Sequence, residues 1–124
     1  MTLGRVAAIT DAGRKRRRNE DAFVCEAPLF AVADGMGGAQ AGEIASRLAA
    51  AALRGSEAAE PSSGEERVVS LIREANRRVY ERAAKDEAVS GMGTTMTAAL
   101  LEDSRVWIGH VGDSRAYLIR GRTL

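Results

Sequence analysis

A chain of 124 residues holds one domain and a single modest core, and 45% hydrophobic with 28% charged residues is ordinary for a globular protein in water. A net charge of +1 gives no overall bias toward nucleic acid or membrane, and no apolar run approaches the roughly 18–20 residues of a membrane span. One cysteine, Cys25, excludes an internal disulfide and suits a reducing compartment. Residues 1–10 lack a signal-peptide pattern. The expectation is therefore a cytoplasmic protein with no nucleic-acid partner and no membrane insertion.

Residues 4–10 read as a first strand, turned by Asp11-Ala12-Gly13. The basic run Arg14-Lys15-Arg16-Arg17-Arg18 follows, and alone it suits a solvated loop or a nonspecific anion patch. The charge then reverses at Asn19-Glu20-Asp21, just before the apolar Ala22-Phe23-Val24-Cys25. Cations and carboxylates this close at a strand entry suit a site holding both metal and phosphate. Pro28 separates that strand from Leu29-Phe30-Ala31-Val32-Ala33, which is apolar on both faces, as for a strand buried between layers. Asp34 comes next, where the strand leaves the sheet, followed by Gly35-Met36-Gly37-Gly38, whose glycines let backbone approach a bound group.

Residues 41–53 predict a helix with Ala41, Ile44, Ala45, Leu48 and Ala52 on one stripe. Residues 55–64 form a small-residue loop containing Pro61. A second helix starts at a capping box, Ser62 with Glu65 or Ser63 with Glu66, and runs to about Glu87. Val68, Ile72, Ala75, Val79 and Ala83 form its apolar stripe, and its charges are structural. Residues 89–93 read as a flexible entry to a strand over 94–101, favoured by its threonines. Glu102-Asp103-Ser104-Arg105 is turn chemistry, so 106–111 pairs back as a hairpin. Gly112-Asp113-Ser114 then turns the chain into a strand over 115–120, with a further hairpin turn at Gly121-Arg122. Strands, two long helices and an antiparallel meander predict an α+β fold, a sheet with helices packed on a face.

Acidic residues thus stand at three strand ends: Glu20-Asp21, Asp34 and Asp113. Oxygen donors without a His or Cys cluster favour Mg²⁺ or Mn²⁺ over zinc. Two such ions about 3.5–4 Å apart would generate a nucleophilic water at neutral pH, with Arg16 gripping a phosphoryl group by two parallel hydrogen bonds. Competing readings are weaker. A dinucleotide turn at Gly35-Met36-Gly37-Gly38-Ala39-Gln40 has Gln40 where Gly or Ala is needed, and no Gly-Lys-Ser/Thr follows. His110 shares a strand face with Val106 and Ile108 and reads as a core or sheet-face residue. Cys25 reads as structural, and Trp107 and Tyr117 as packing residues.

Four segments together resemble the metal-dependent Ser/Thr protein phosphatases (the PPM family, type 2C) in their bacterial form. They are Arg16-Arg17-Arg18-Asn19-Glu20-Asp21, Ala33-Asp34-Gly35-Met36-Gly37-Gly38, Gly91-Met92-Gly93-Thr94-Thr95 and Gly112-Asp113-Ser114-Arg115-Ala116-Tyr117. The resemblance implies a four-layer α-β-β-α sandwich of antiparallel sheets flanked by helices. It implies hydrolysis of phosphoserine or phosphothreonine by a water activated by two ions, Mn²⁺ or Mg²⁺. It makes Asp34 the bridge between those ions, Gly35 (through its carbonyl) and Glu20 the second ion's ligands with Asp21 close behind, Arg16 the phosphate-binding residue, and Asp113 part of a third, weaker metal site. Gly93-Thr94-Thr95 matches an element of the central sheet. The implied partners are phosphoserine and phosphothreonine proteins, Ser/Thr kinases among them. Met36 departs from members with a histidine after Asp-Gly. Residues 1–124 match only the N-terminal portion of a single phosphatase domain, whose later half supplies two further aspartates, so weak or absent activity is expected of these residues alone. The alternative is a noncatalytic phosphoprotein-binding or decoy module.

Overall fold

The turn at Ala27-Pro28 joins β1 (Asp21–Glu26) to β2 (Leu29–Met36), pairing them antiparallel from Glu26↔Leu29 to Asp21↔Asp34. The computed structural model describes residues 2–38, 40–54 and 63–124. The loop expected around Pro61 and the Ser62–Glu65 capping alternative lie outside the described residues. β2 runs past its expected end at Ala33 because Gly35 and Met36 pair with β3 (Gly93–Thr94). β4 (Met96–Glu102) continues the same line along β2, in register Val32↔Thr97. β5 (Arg105–Val111) folds back on β4 through Asp103 and Ser104, both at positive φ, as a tight right-twisting hairpin turn requires. The five-stranded sheet has the order β1-β2-β4-β5, with β3 on β2.

Two helices cover one face. α1 (Ala41–Arg54) buries Ala41, Gly42, Ala45, Ser46, Ala49 and Ala52, and Ile44 and Leu48 pack beside them. These small side chains let the helix lie close on the sheet. At Gly35 the approach is backbone to backbone: a Cβ there would stand 1.8 Å from the Gly42 carbonyl oxygen. α2 (Gly64–Lys85) starts at the Ser63–Glu66 capping box, the Glu66 amide donating to Ser63 Oγ at 3.1 Å and the Ser63 amide to Glu66 Oε2 at 3.2 Å. It buries Val68, Ala75 and Val79, and sits so close on β5 that a Cβ on Gly109 would meet Val68 Cγ1 at 2.3 Å. It ends two residues before its expected limit at Glu87, because the Asp86 side chain accepts from the Ala88 amide and starts a 3-10 turn, Glu87–Val89.

The other sheet face is bare. Phe30 and Val32 of β2 share it with Phe23 and Cys25 of β1, Thr97, Ala99 and Leu101 of β4, and Val106, Ile108 and His110 of β5. Val32, Val106 and Ile108 are 48–52% exposed there. Among the described residues helices cover only one face of β2, so the burial expected on its other face is not met by them. His110 is the expected sheet-face residue, with Nδ1 2.7 Å from Thr97 Oγ1. The α+β class is as expected, and the described residues form two of the four implied layers.

Two expected strands are absent. Residues 4–10 are an exposed, unpaired segment, tied by a 2.6 Å hydrogen bond from Asn19 Nδ2 to Thr10 Oγ1. Residues 115–120 are likewise unpaired, although the turn at Gly121-Arg122 forms, closed by an Arg120↔Thr123 bridge. Both have strand-like sequence but no neighbouring strand to complete a ladder, and a lone strand leaves its backbone groups to water. Tyr117 is accordingly exposed rather than packed. Residues 89–93 are anchored, not flexible, because Val89 and Met92 are buried in the core. Cys25 is half-buried, and Trp107 packs against Gly64 at the start of α2. Among the described residues no helix is long and apolar enough to cross a membrane.

Candidate metal centre

The β1–β2 register places Asp21 directly across from Asp34. The neighbouring pair is hydrogen-bonded, with the Gly35 amide donating to the Glu20 carbonyl oxygen at 2.9 Å. Antiparallel pairing alternates, so Asp21 and Asp34 form a pair without backbone bonds, the type in which side chains stand closest. Both project to the bare face. Partial desolvation raises the Asp21 carboxyl from its ordinary value, the Asp34 charge and a hydrogen bond to Asp34 raise it further, Arg16 opposes the rise, and the Glu20 charge adds a smaller push.

Each aspartate is held from behind. The Asn19 side-chain oxygen accepts from the Asp21 amide at 3.0 Å. Thr95 interrupts the line between β3 and β4 opposite Asp34: its Oγ1 accepts from the Asp34 amide at 3.0 Å, and its own amide donates to the Asp34 carbonyl at 2.9 Å. Ser114 Oγ lies 2.9 Å from the same Thr95 hydroxyl. A cleft of about 210 Å³ opens on the pair, walled by Ile9, Thr10, Phe23, Val32 and Ser114. A larger groove of about 770 Å³, between α2 and the end of the sheet, has no carboxylate in its lining and is not where this chemistry sits.

The remaining expected site residues are placed differently. Glu20 precedes Asp21 and so faces the opposite way, its Oε2 against Gly42 in the first turn of α1. Asp113 is exposed beyond β5 and does not line the cleft, although its neighbour Ser114 does. Gly35 sits beside the pair, buried under α1. Arg16 is exposed and close enough for its charge to act on Asp21. Among the described residues no three or more Asp, Glu, His or Cys side chains converge to hold a metal ion. Two opposed carboxylates, one already strained by the other's charge, nonetheless fit a hard divalent cation, which would neutralise both. The residues present are a partial shell.

Thr95 and Ser114 were not among the expected site residues. Thr95 is one of three threonines in residues 94–97, and Ser114 follows Asp113 in the turn after β5, so neither stands out in the sequence.

The protein phosphatase 2C family model matches residues 11–123. The chain is 41% identical over 117 residues to the serine/threonine protein phosphatase PstP of Mycobacterium tuberculosis, covering 94% of this chain and 23% of that protein. It is 41% identical over 125 residues to the serine/threonine phosphatase Stp of Listeria welshimeri, covering 93% and 50%. The crystal structure of the PstP catalytic domain in complex with two manganese ions superposes with a TM-score of 0.81 at 40% identity, over 88% of this chain and 48% of that one. The chain thus spans half or less of the length of these relatives.

Proposed function

Since the chain belongs to the protein phosphatase 2C family, we propose that residues 1–124 are the N-terminal part of a single domain that hydrolyses phosphoserine and phosphothreonine in proteins. The observation that carries this reading is the placement of Asp21 across from Asp34 at the mouth of a cleft. The manganese-bound relative and the half-exposed apolar sheet face, which a second sheet would cover, support it.

Asp34 and Asp21, with the Gly35 carbonyl, would hold Mn²⁺ or Mg²⁺. Bound there, two such ions supply an activated water and positive charge toward the phosphoryl oxygens. Thr95 fixes the Asp34 backbone and Asn19 that of Asp21, so neither carboxylate has to be ordered when substrate arrives. Arg16 grips two phosphoryl oxygens through its guanidinium fork. Glu20, whose Oε2 lies beside Gly42 next to the Gly35 carbonyl carbon, would join the Gly35 carbonyl from the other side of β1, and Asp113 stays peripheral. Met36 has no proton to give, so the leaving alkoxide takes its proton from another group. The partners are phosphorylated proteins, Ser/Thr kinases among them, in a cytoplasm that keeps Cys25 reduced.

The partial shell favours one second reading, a module that binds phosphoproteins without turning them over. Manganese-dependent turnover of a phosphopeptide by the full-length protein decides between them. Turnover that falls at least about 100-fold in Asp34→Asn supports catalysis. Phosphopeptide binding with no turnover favours the module.

A further inference from the structure

The basic run beside the cleft holds more cations than one phosphate uses. Five of the 18 basic residues fall in residues 14–18, leaving 13 against 17 acidic residues in the rest of the chain. The run is therefore a local island of positive charge on a molecule that is otherwise net negative. Arg18 is neutralised at home, its Nη1 2.9 Å from Glu43 Oε1. Arg16 acts on Asp21. Arg14, Lys15 and Arg17 are exposed, and among the described residues no hydrogen bond or ion pair engages their side chains. Like charges crowded on a short turn repel, and among the described residues no ion pair compensates these three.

We propose that Arg14, Lys15 and Arg17 form an anion subsite flanking the phosphate position, selecting substrates with a carboxylate or second phosphate near the phosphorylated residue. The proposal rests on the phosphatase reading above. The geometry sets the spacing. Arg14 and Lys15 lie one to two residues before Arg16 and Arg17 one after it, so their Cα atoms fall within about 8 Å of that of Arg16. An extended peptide covers that span in about two to three residues. Anions two or three positions from the phosphorylated residue are the ones these side chains reach. Two of the three are arginines, whose planar forks suit both carboxylate and phosphate.

The test uses the full-length protein loaded with Mn²⁺ and three phosphopeptides with flanks that are neutral, glutamate-bearing, or doubly phosphorylated. The variant is R14Q/K15Q/R17Q, which keeps side-chain bulk on an exposed turn. For the wild type, kcat/KM is expected to be about tenfold higher on an anionic flank than on the neutral one, and the variant should erase that ratio while leaving the neutral peptide within about twofold. The arm showing the preference, glutamate or second phosphate, identifies the source of the anion. A ratio unchanged in the variant overturns the proposal. So does an equal loss on all three peptides, which would mean general steering. Loss in the variant of binding to anionic vesicles or RNA, with peptide preference intact, also overturns it. If the wild type turns over none of the peptides, the phosphatase reading fails by itself. Fluorescence anisotropy then still decides the subsite, through weaker binding of the anionic-flank peptides by the variant.

Discussion

The two faces of the one sheet are built from the same strands, yet they are finished differently. Toward the helices, Ala31 and Ala33 of β2 alternate inward beneath the alanine-rich α1, Ala98 and Leu100 of β4 alternate inward on the side that α2 covers, and all four are buried. Toward the other side, Phe30, Val32, Val106 and Ile108 alternate outward with equal apolar character, and no helix or second sheet of the described residues covers them. The acidic pair sits on the second face, at its end nearest the α1 turn. The sealed face holds the fold together and leaves the other free to carry a cleft and the charges in it. Stability and chemistry are thereby divided between faces.

The sharpest way to break that division is at the backbone contact beneath the site. Gly35→Ala pushes a Cβ to 1.8 Å from the Gly42 carbonyl, so α1 must lift from the sheet. A loss of about 3 kcal/mol or more in urea denaturation is expected. Next comes a matched truncation across the sheet. Leu100→Ala, at a site 1% exposed, should cost about 3 kcal/mol, whereas Ile108→Ala, at a site 52% exposed, should cost about 1 kcal/mol or less. Equal losses would mean that the outward face is already covered.

Thr95→Val probes how the sealed face supports the site. It removes the hydroxyl that accepts from the Asp34 amide and touches Ser114, for an expected cost of about 1–2 kcal/mol. Manganese affinity, read by calorimetry, should fall about tenfold or more, and Thr95→Ser should restore most of it.

The smallest effect concerns Asp21. Its carboxyl is raised in the folded state, first by burial and then by Asp34, so without metal the folded form prefers it protonated. The resulting penalty is absent below the ordinary carboxylate range and complete above the raised value, and metal-free stability should decline slightly as pH rises through that window. In Asp21→Asn that decline should vanish and stability near neutral pH should rise by a few tenths of a kcal/mol. Metal binding should weaken in the same variant. Greater stability with weaker binding would place Asp21 in the site and not in the scaffold.

The local features were readable from residue spacing. The capping box at Ser63, the α2 stripe and the Asp103-Ser104 turn follow from 3.6-residue periodicity and turn chemistry, which act over a few residues. The opposition of the two aspartates was legible in principle as well. A two-residue turn at Ala27-Pro28 pairs residue 26 with 29, and counting outward brings 21 to 34. The same alternation sends Glu20 to the α1 side, beside Gly42 and Gly35, which the motif alone, with its adjacent acids, could not distinguish.

Pairing across distance was not readable. Residues 4–10 and 115–120 have the composition of strands, but a strand exists only where another edge accepts its hydrogen bonds, and that edge is not encoded locally. Thr95 stands opposite Asp34 after 61 intervening steps of chain, so no window of sequence reveals that its hydroxyl holds the site. The sequence by itself determined the elements, their apolar faces and the residue types that suit a metal and a phosphate. Tertiary structure alone decided what holds the aspartate pair and which sheet face is covered, because the Thr95 hydroxyl and the helices reach the strands from distant parts of the chain.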